Sequence, residues 1–301
     1  MYNNNLSEVI SNTINELIQN LFSSIDNNIY SYIDEIVFIN KKTLSQNNFE
    51  SLFSNSSNSI LVIANALILA YLLFYCIKLF SSYYSGSQTE RPYQFIFKLI
   101  ICTILMNSSY FICEQFINIT DLITKSLQEI GSNFVSKTIS FKTLVTELNA
   151  TISISGNSLD IFSLSGLLKS FCSVGLISLM FSYSIRLIMV KVFVILSPFA
   201  ILSYSLNSSN WFFRSWIRSF FSLLFMQFFV TIILIVTLSL NFSGNIVSKF
   251  IYVSSIFALT KSNTYIRSLI GGISTDFNTN LSTLKSFLKR GDYYFYNSTK
   301  F

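Results

Sequence analysis

The chain has 301 residues, of which 51% are hydrophobic and 11% charged, with a mean hydropathy of +0.53. Soluble domains carry about 25% charged residues, so the composition excludes an ordinary soluble protein and points to an integral membrane protein. Net charge is +6, but the Lys and Arg residues gather near the ends of apolar runs and in the tail, not in the dense stripe of a nucleic-acid-binding face.

In residues 1–58, Leu6, Ile10, Ile14, Leu17, Leu21, Ile25, Ile29, Ile33 and Ile36 recur at steps of three and four. That period predicts one or two amphipathic helices, lying on the membrane or packed on a partner. The segment has a net charge of −4, and there is no basic start or compact apolar core to make it a signal peptide. Gln46–Asn58, rich in Asn and Ser, reads as a flexible connector.

The first clear span is Ser59–Phe80. After a short polar loop with Arg91 and Pro92, a second runs over about Gln94–Ile117, with Asn107, Ser108 and Ser109 at its middle. Polar groups at that depth are expected to hydrogen-bond between helices. Residues 120–162 form a polar section with helical periodicity at Leu122, Ile123, Leu127, Ile130 and Phe134. A third span, Ser163–Tyr183, contains Gly166 and Gly175 as small packing residues.

Then comes the stretch around which the chain is organised, Arg186–Leu240. Arg186 and Lys191 lead an apolar run that Pro198 is expected to kink or break. Arg214 and Arg218 stand among Trp211, Phe212, Phe213 and Trp216, a belt of the kind found at headgroup level. The uncharged span Ser219–Leu240 follows, long enough for a hydrocarbon core that needs about 20 residues. Asn245–Thr260 is shorter. The tail, 261–301, has helical periodicity interrupted by Gly271-Gly272 and a net charge of +4.

The expected architecture is therefore all-α. It has about five transmembrane helices within 59–260, an outer loop 120–162, a Pro-broken segment 186–204, an amphipathic extracytoplasmic N-terminal region 1–58 and a basic cytoplasmic tail. The Lys/Arg bias of the loops puts the N-terminus outside and the C-terminus inside. Either 186–204 crosses and 245–260 does not, or 186–204 extends the third span as a tilted or re-entrant segment and 245–260 crosses. The second places Arg186, Lys191, Arg214 and Arg218 all on the inner side and is preferred.

Catalytic patterns are absent from the sequence. There is no histidine, which removes the commonest general base and metal ligand. Cys76, Cys102, Cys113 and Cys172 fall in apolar runs without paired spacing, as apolar packers do. No Walker A, GxSxG or HExxH pattern occurs, and Glu114 is the one acid inside a run. No enzyme activity, metal or cofactor is expected.

Arg186, the apolar run ending in Ser197-Pro198-Phe199-Ala200, the polar turn and Trp211-Phe212-Phe213-Arg214-Ser215-Trp216 together resemble the TrbL-type family, polytopic inner-membrane channel components of type IV secretion and conjugation machines. The late Gly271-Gly272 is similar to the family's pattern as well. By motif the resemblance covers roughly residues 160–275. It implies a non-enzymatic scaffold or channel subunit, assembled in several copies in the bilayer with a secretion ATPase and other membrane subunits, which passes a DNA–protein cargo across the envelope. The Asn/Ile/Lys-rich, Pro-poor composition fits a Gram-positive host. The alternative is a secondary transporter or permease with Pro198 marking a discontinuous helix at a binding site.

Overall fold

The computed structural model describes residues 13, 32–53, 59–86, 91–152, 164–240 and 246–271. The apolar series from Leu6 to Ile29 lies outside the described residues, as do Gly272 and the basic tail beyond it. Every regular element among the described residues is helical. In order these are helical residues 32–37 (α1), α2 (Lys41–Ser45), a 3-10 helix (Gln46–Phe53), α3 (Ile60–Ser85), α4 (Pro92–Asn107), α5 (Ser109–Val135), α6 (Phe141–Ile152), α7 (Leu164–Ser203), α8 (Asn210–Ser239) and α9 (Ile246–Ile270).

Among the described residues α3, Gly166–Ser203 within α7, and α8 are long and apolar enough to cross a bilayer. The bent pair α4 and α5 makes a fourth candidate if counted as one span. The described residues are thus all-helical with three to four candidate spans, where the sequence pattern implies about five; α9 is helical over the expected fifth but is not among them. In α3 only 17% of the most apolar window is buried, against 56% in α8. An apolar surface left that open belongs against lipid, so α3 is peripheral and α8 central. α8 packs on α5, α7 and α9, and also touches α6.

Local chemistry sets the ends of these helices. α3 stops at Gly86, whose left-handed backbone (φ 65°) lets its N–H reach Ser82 O. α4 begins with Pro92, and the residue before it, Arg91, is extended as a following proline requires (φ −63°, ψ 137°). The expected second span does not run straight: α4 and α5 bend by 64° at Ser108. There the side chains of Thr103 and Ser108 bond back to Leu99 O and Ile104 O, and Asn107 Nδ2 to Thr103 O, contacts that compete with a regular helix and bend it. Asn107 also accepts from Asn65 on α3, the interhelical bond expected of these polar residues.

Further findings concern the segments between the clear spans. The connector over Gln46–Asn58 is a 3-10 helix to Phe53, whose ring is buried against α5 beside Tyr110. In the polar section, the helical periodicity expected at Leu122, Ile123, Leu127, Ile130 and Phe134 is realised in α5, which continues to Val135, and α6 follows over Phe141–Ile152. The segment 186–204 is not broken: the helix continues through Pro198 to Ser203, giving α7 40 residues. At 1.5 Å per residue it is about 60 Å long, roughly twice the thickness of a hydrocarbon core.

Among the described residues the interior divides into three apolar clusters. One joins α1, α6, the first half of α7, the second half of α8, and α9. The next joins α2, the 3-10 helix, α5, the second half of α7 and the first half of α8. The third lies among α3, α4 and the end of α7. Gly175 lets α7 approach α9 closely, since a Cβ there would stand 2.9 Å from Ile256 Cγ2, as its reading as a packing residue implied. Lys41 pairs with Glu114 at 3.0 Å, tying α2 to α5.

Candidate functional site: the α7–α8 hairpin and its buried arginine

Arg186 lies near the middle of α7 and is completely buried. Its Nε donates to Leu223 O on α8 at 2.8 Å, its Nη1 to Val37 O at 2.8 Å and its Nη2 to Gln227 Oε1 at 3.4 Å. Val37 is the last helical residue of α1, so its carbonyl is one of those a helix end leaves without an internal partner. Among the described residues no carboxylate pairs with the guanidinium; fixed carbonyl dipoles surround it instead. An unpaired charge in an apolar interior is strongly unfavourable, and these three acceptors are what makes the site tenable. One turn earlier, Tyr183 donates to Leu259 O on α9 at 3.2 Å. The middle of α7 is thereby bonded to α1, α8 and α9.

Arg186 thus does not share the level of Arg214 along the hairpin. It stands about 26 Å along the helix from Ser203, and its partners on α8 lie about 20 Å or more from the start of that helix at Asn210. Lys191, one and a half turns on, is half-buried with its amine 5.9 Å from the ring centre of Phe49 in the 3-10 helix.

Around Pro198 the helix persists because other groups supply what the proline withholds. Pro198 has no N–H for the carbonyl of Val194, four residues back. The hydroxyl of Ser197 donates to that oxygen at 2.6 Å. The adjacent carbonyl, Phe193 O, accepts from the indole Nε1 of Trp216 on α8 at 2.9 Å. Pro198 and Ala200 are both buried. Trp216 is buried too, its ring stacked on Phe220 at 5.4 Å, so it packs inside the helical bundle. Trp211, by contrast, is 69% exposed at the first turn of α8.

Arg214 is exposed near the start of α8, and Arg218 lies one turn further, also exposed. Arg218 runs its stem along Gly271 at the end of α9, where the backbone is left-handed (φ 80°). The turn between α7 and α8 is held to α4 by Lys98, which donates to Asn207 Oδ1 at 3.3 Å. No Asp or Glu occurs in α4, α7, the turn or α8, so this end of the hairpin presents basic side chains without acidic ones.

Of the residues singled out from sequence, Arg186, Pro198, Trp216, Arg218 and Gly271 join α7, α8 and α9 through contacts of their own or of their neighbours. Lys191 faces the 3-10 helix, while Trp211 and Arg214 stay at the surface. Gln227, Tyr183, Ser197 and Val37 belong to the site but were missed. Gln227 was findable, as the one side-chain amide in an otherwise apolar span. Val37 carried no signal, because its contribution is a carbonyl delivered from 149 positions away. Among the described residues no group of His, Cys, Asp and Glu is placed to hold a metal ion. Compared with known proteins, the chain matches no family model, no curated protein and no solved structure.

Proposed function

We propose that the chain is a non-enzymatic scaffold or channel subunit of a type IV secretion machine that carries out conjugative DNA transfer, in the manner of TrbL-type proteins. The observation that supports this reading is the interlocking of the motif residues. The arginine that leads the motif bonds to α8, the tryptophan after the turn bonds back to α7 beside the Ser-Pro pair, and the late glycine seats the arginine of α8. Residues that only marked topology would have no reason to meet in this way.

On this reading the hairpin is a rigid unit around which several copies assemble with a secretion ATPase and the other membrane subunits. The N-terminus is outside, the tail is cytoplasmic, and α9 adds a further crossing. The basic end of the hairpin, with Arg214, Arg218 and Lys98, faces the cytoplasm, where an acidic ATPase surface or the phosphates of a DNA–protein cargo would meet it. The test is deletion of the gene in its host with complementation by the wild-type chain or by Arg214→Gln/Arg218→Gln. Transfer frequency is expected to fall on deletion, to recover with wild type and to stay low with the double variant at normal protein level. Undiminished transfer after deletion would sink the proposal.

A second reading, a permease for a small solute, draws on the 64° break between α4 and α5, since discontinuous helices form transporter binding sites. It predicts loss of solute uptake on deletion with mating unaffected.

A further inference from the structure

We infer that the cleft between the α4–α5 bend and the α7–α8 turn holds one acyl chain of a phospholipid with an anionic headgroup. The inference rests on the membrane-spanning reading and not on the secretion role. The cleft has a volume of about 440 Å³ and is lined by Cys102 and Leu105 of α4, Ile112 and Phe116 of α5 and Trp216 of α8, with Lys98 at its edge. That volume is within the range of about 300–1,000 Å³ typical of ligand pockets. It exists because α4 and α5 diverge at Ser108 and leave a wedge that the ends of α7 and α8 only partly close.

The chemistry of the wall decides the occupant. Water in a cavity needs two to four polar partners, and this wall is almost wholly apolar apart from Lys98, Tyr204 and the Trp216 indole, whose N–H is already given to Phe193. An empty apolar space loses the dispersion contacts of every atom around it. Hydrocarbon restores them, and the cleft opens past the exposed side chains of Ile101 and Leu105, on the surface that faces lipid.

The edge of the cleft decides the headgroup. Lys98 lies less than two turns from the start of α4, and its amine reaches Asn207 in the polar turn, at the level where a chain enters headgroup territory. Arg91 and Arg214 are exposed at the neighbouring helix ends. No carboxylate occurs in α4, α7, the turn or α8, and Glu114 of α5, between the lining residues Ile112 and Phe116, is neutralised by Lys41 at 3.0 Å. The field at the cleft's edge is therefore positive and favours an anionic phosphate group over a zwitterionic one.

Trp211 and Trp216 are the only tryptophans, so the full chain carrying Trp211→Phe reports on the cleft through Trp216 alone. Reconstituted in phosphatidylcholine bilayers doped with phosphatidylglycerol brominated on its acyl chains, the protein is expected to show saturable quenching at low mole fraction. Brominated phosphatidylcholine should need about fivefold more, the factor contributed by one basic residue near the surface. Lys98→Gln should erase that ratio, and Ile112→Phe, which narrows the cleft, should weaken quenching by both lipids. Quenching that rises linearly, ignores the headgroup and is the same in both variants would mean annular lipid only and overturn the inference. So would no quenching at all. If Ile112→Phe fails to fold, the headgroup ratio in Lys98→Gln decides alone.

Discussion

The carboxylate of Asp34 accepts the backbone N–H of Phe141 at 2.9 Å, across 107 positions of sequence. Phe141 is the first residue of α6, so a side chain from α1 caps a helix that begins in another part of the chain. The bond satisfies one of the donors that a helix start leaves over and fixes α1 next to α6.

Burial raises the Asp34 carboxyl above its ordinary range, outweighing the hydrogen bonds from Phe141 and Lys142 and the charge of Lys142, which act the other way. A carboxyl raised in the folded state binds its proton more tightly there than in the unfolded chain. Its contribution to stability is thus fully present below the unfolded value and is lost as pH rises through the folded one. Asp34→Asn keeps the acceptor without the charge. It is expected to be at least as stable as wild type at neutral pH and to flatten the pH dependence of thermal unfolding in detergent. Asp34→Ala should lose about 1 kcal/mol through the missing cap. An Asn variant clearly less stable than wild type at neutral pH would contradict this account.

Arg186→Ala removes three hydrogen bonds and leaves Val37 O, Leu223 O and Gln227 Oε1 without their donor. Hydrogen bonds to a charged group contribute about 1.5–3 kcal/mol each, partly offset by the relief of burying a charge, so a net loss of about 3 kcal/mol is expected. Because one of the bonds holds α1, the loss should also be local. Limited proteolysis of the variant is expected to cut within 32–45 faster than wild type under conditions that leave α8 intact. Arg186→Lys should behave more like Ala than like wild type, since an ammonium cannot span three acceptors set out for a planar fork. Unchanged cleavage in both variants would show that Arg186 does not retain α1.

At the proline, Ser197 and Pro198 should be energetically coupled. With Pro198 present, Ser197→Ala leaves Val194 O without its donor and should destabilise by about 1 kcal/mol. In a Pro198→Ala background the restored backbone N–H takes that oxygen, and Ser197→Ala should have little effect. A double-mutant cycle measured by unfolding in mixed micelles tests this; additive effects would refute the coupling. Trp216→Phe keeps the ring stack and loses the bond to Phe193 O, so a cost of about 1 kcal/mol is expected there as well.

Gly271→Ala introduces a side chain at a left-handed position and puts its Cβ 2.7 Å from Arg218 Cδ. The backbone part costs about 1 kcal/mol or somewhat more, and displacing the Arg218 stem adds to it. Arg218→Ala in the same chain should recover only the displacement. Full recovery by Arg218→Ala would mean that the backbone conformation contributes nothing.

The sequence made the helical class legible, and most of the spans, because apolar length is a strong signal. Ser59–Phe80 falls almost wholly within α3, and Ser219–Leu240 within one residue of the last turns of α8. Gly175 was read rightly as a packing residue for the same reason: a small residue in an apolar run has few other uses. The bend at Ser108 was hidden because no Pro or Gly marks it; three polar side chains turned onto the backbone do the bending. The opposite error arose at Pro198, where the breaker is visible and the groups that compensate for it, Ser197 and Trp216, are not recognisable as such until they meet. The burial of Arg186 was not legible because loop-charge reasoning reads basic residues only as markers of topology. Its acceptors are one distant carbonyl, one on the facing helix and an amide, none of which a hydropathy pattern reveals.

A helix as long as α7 has a mechanical consequence. It is one unbroken rod of about 60 Å, bonded near its midpoint by Arg186 to α1 and α8, so that point is where a lever would have its fulcrum. A swing of about 10° about the midpoint moves each tip by about 5 Å, in opposite directions. A tilt of α7 as one body would therefore show at the turn near Tyr204 and at Leu164 together, and in opposite senses.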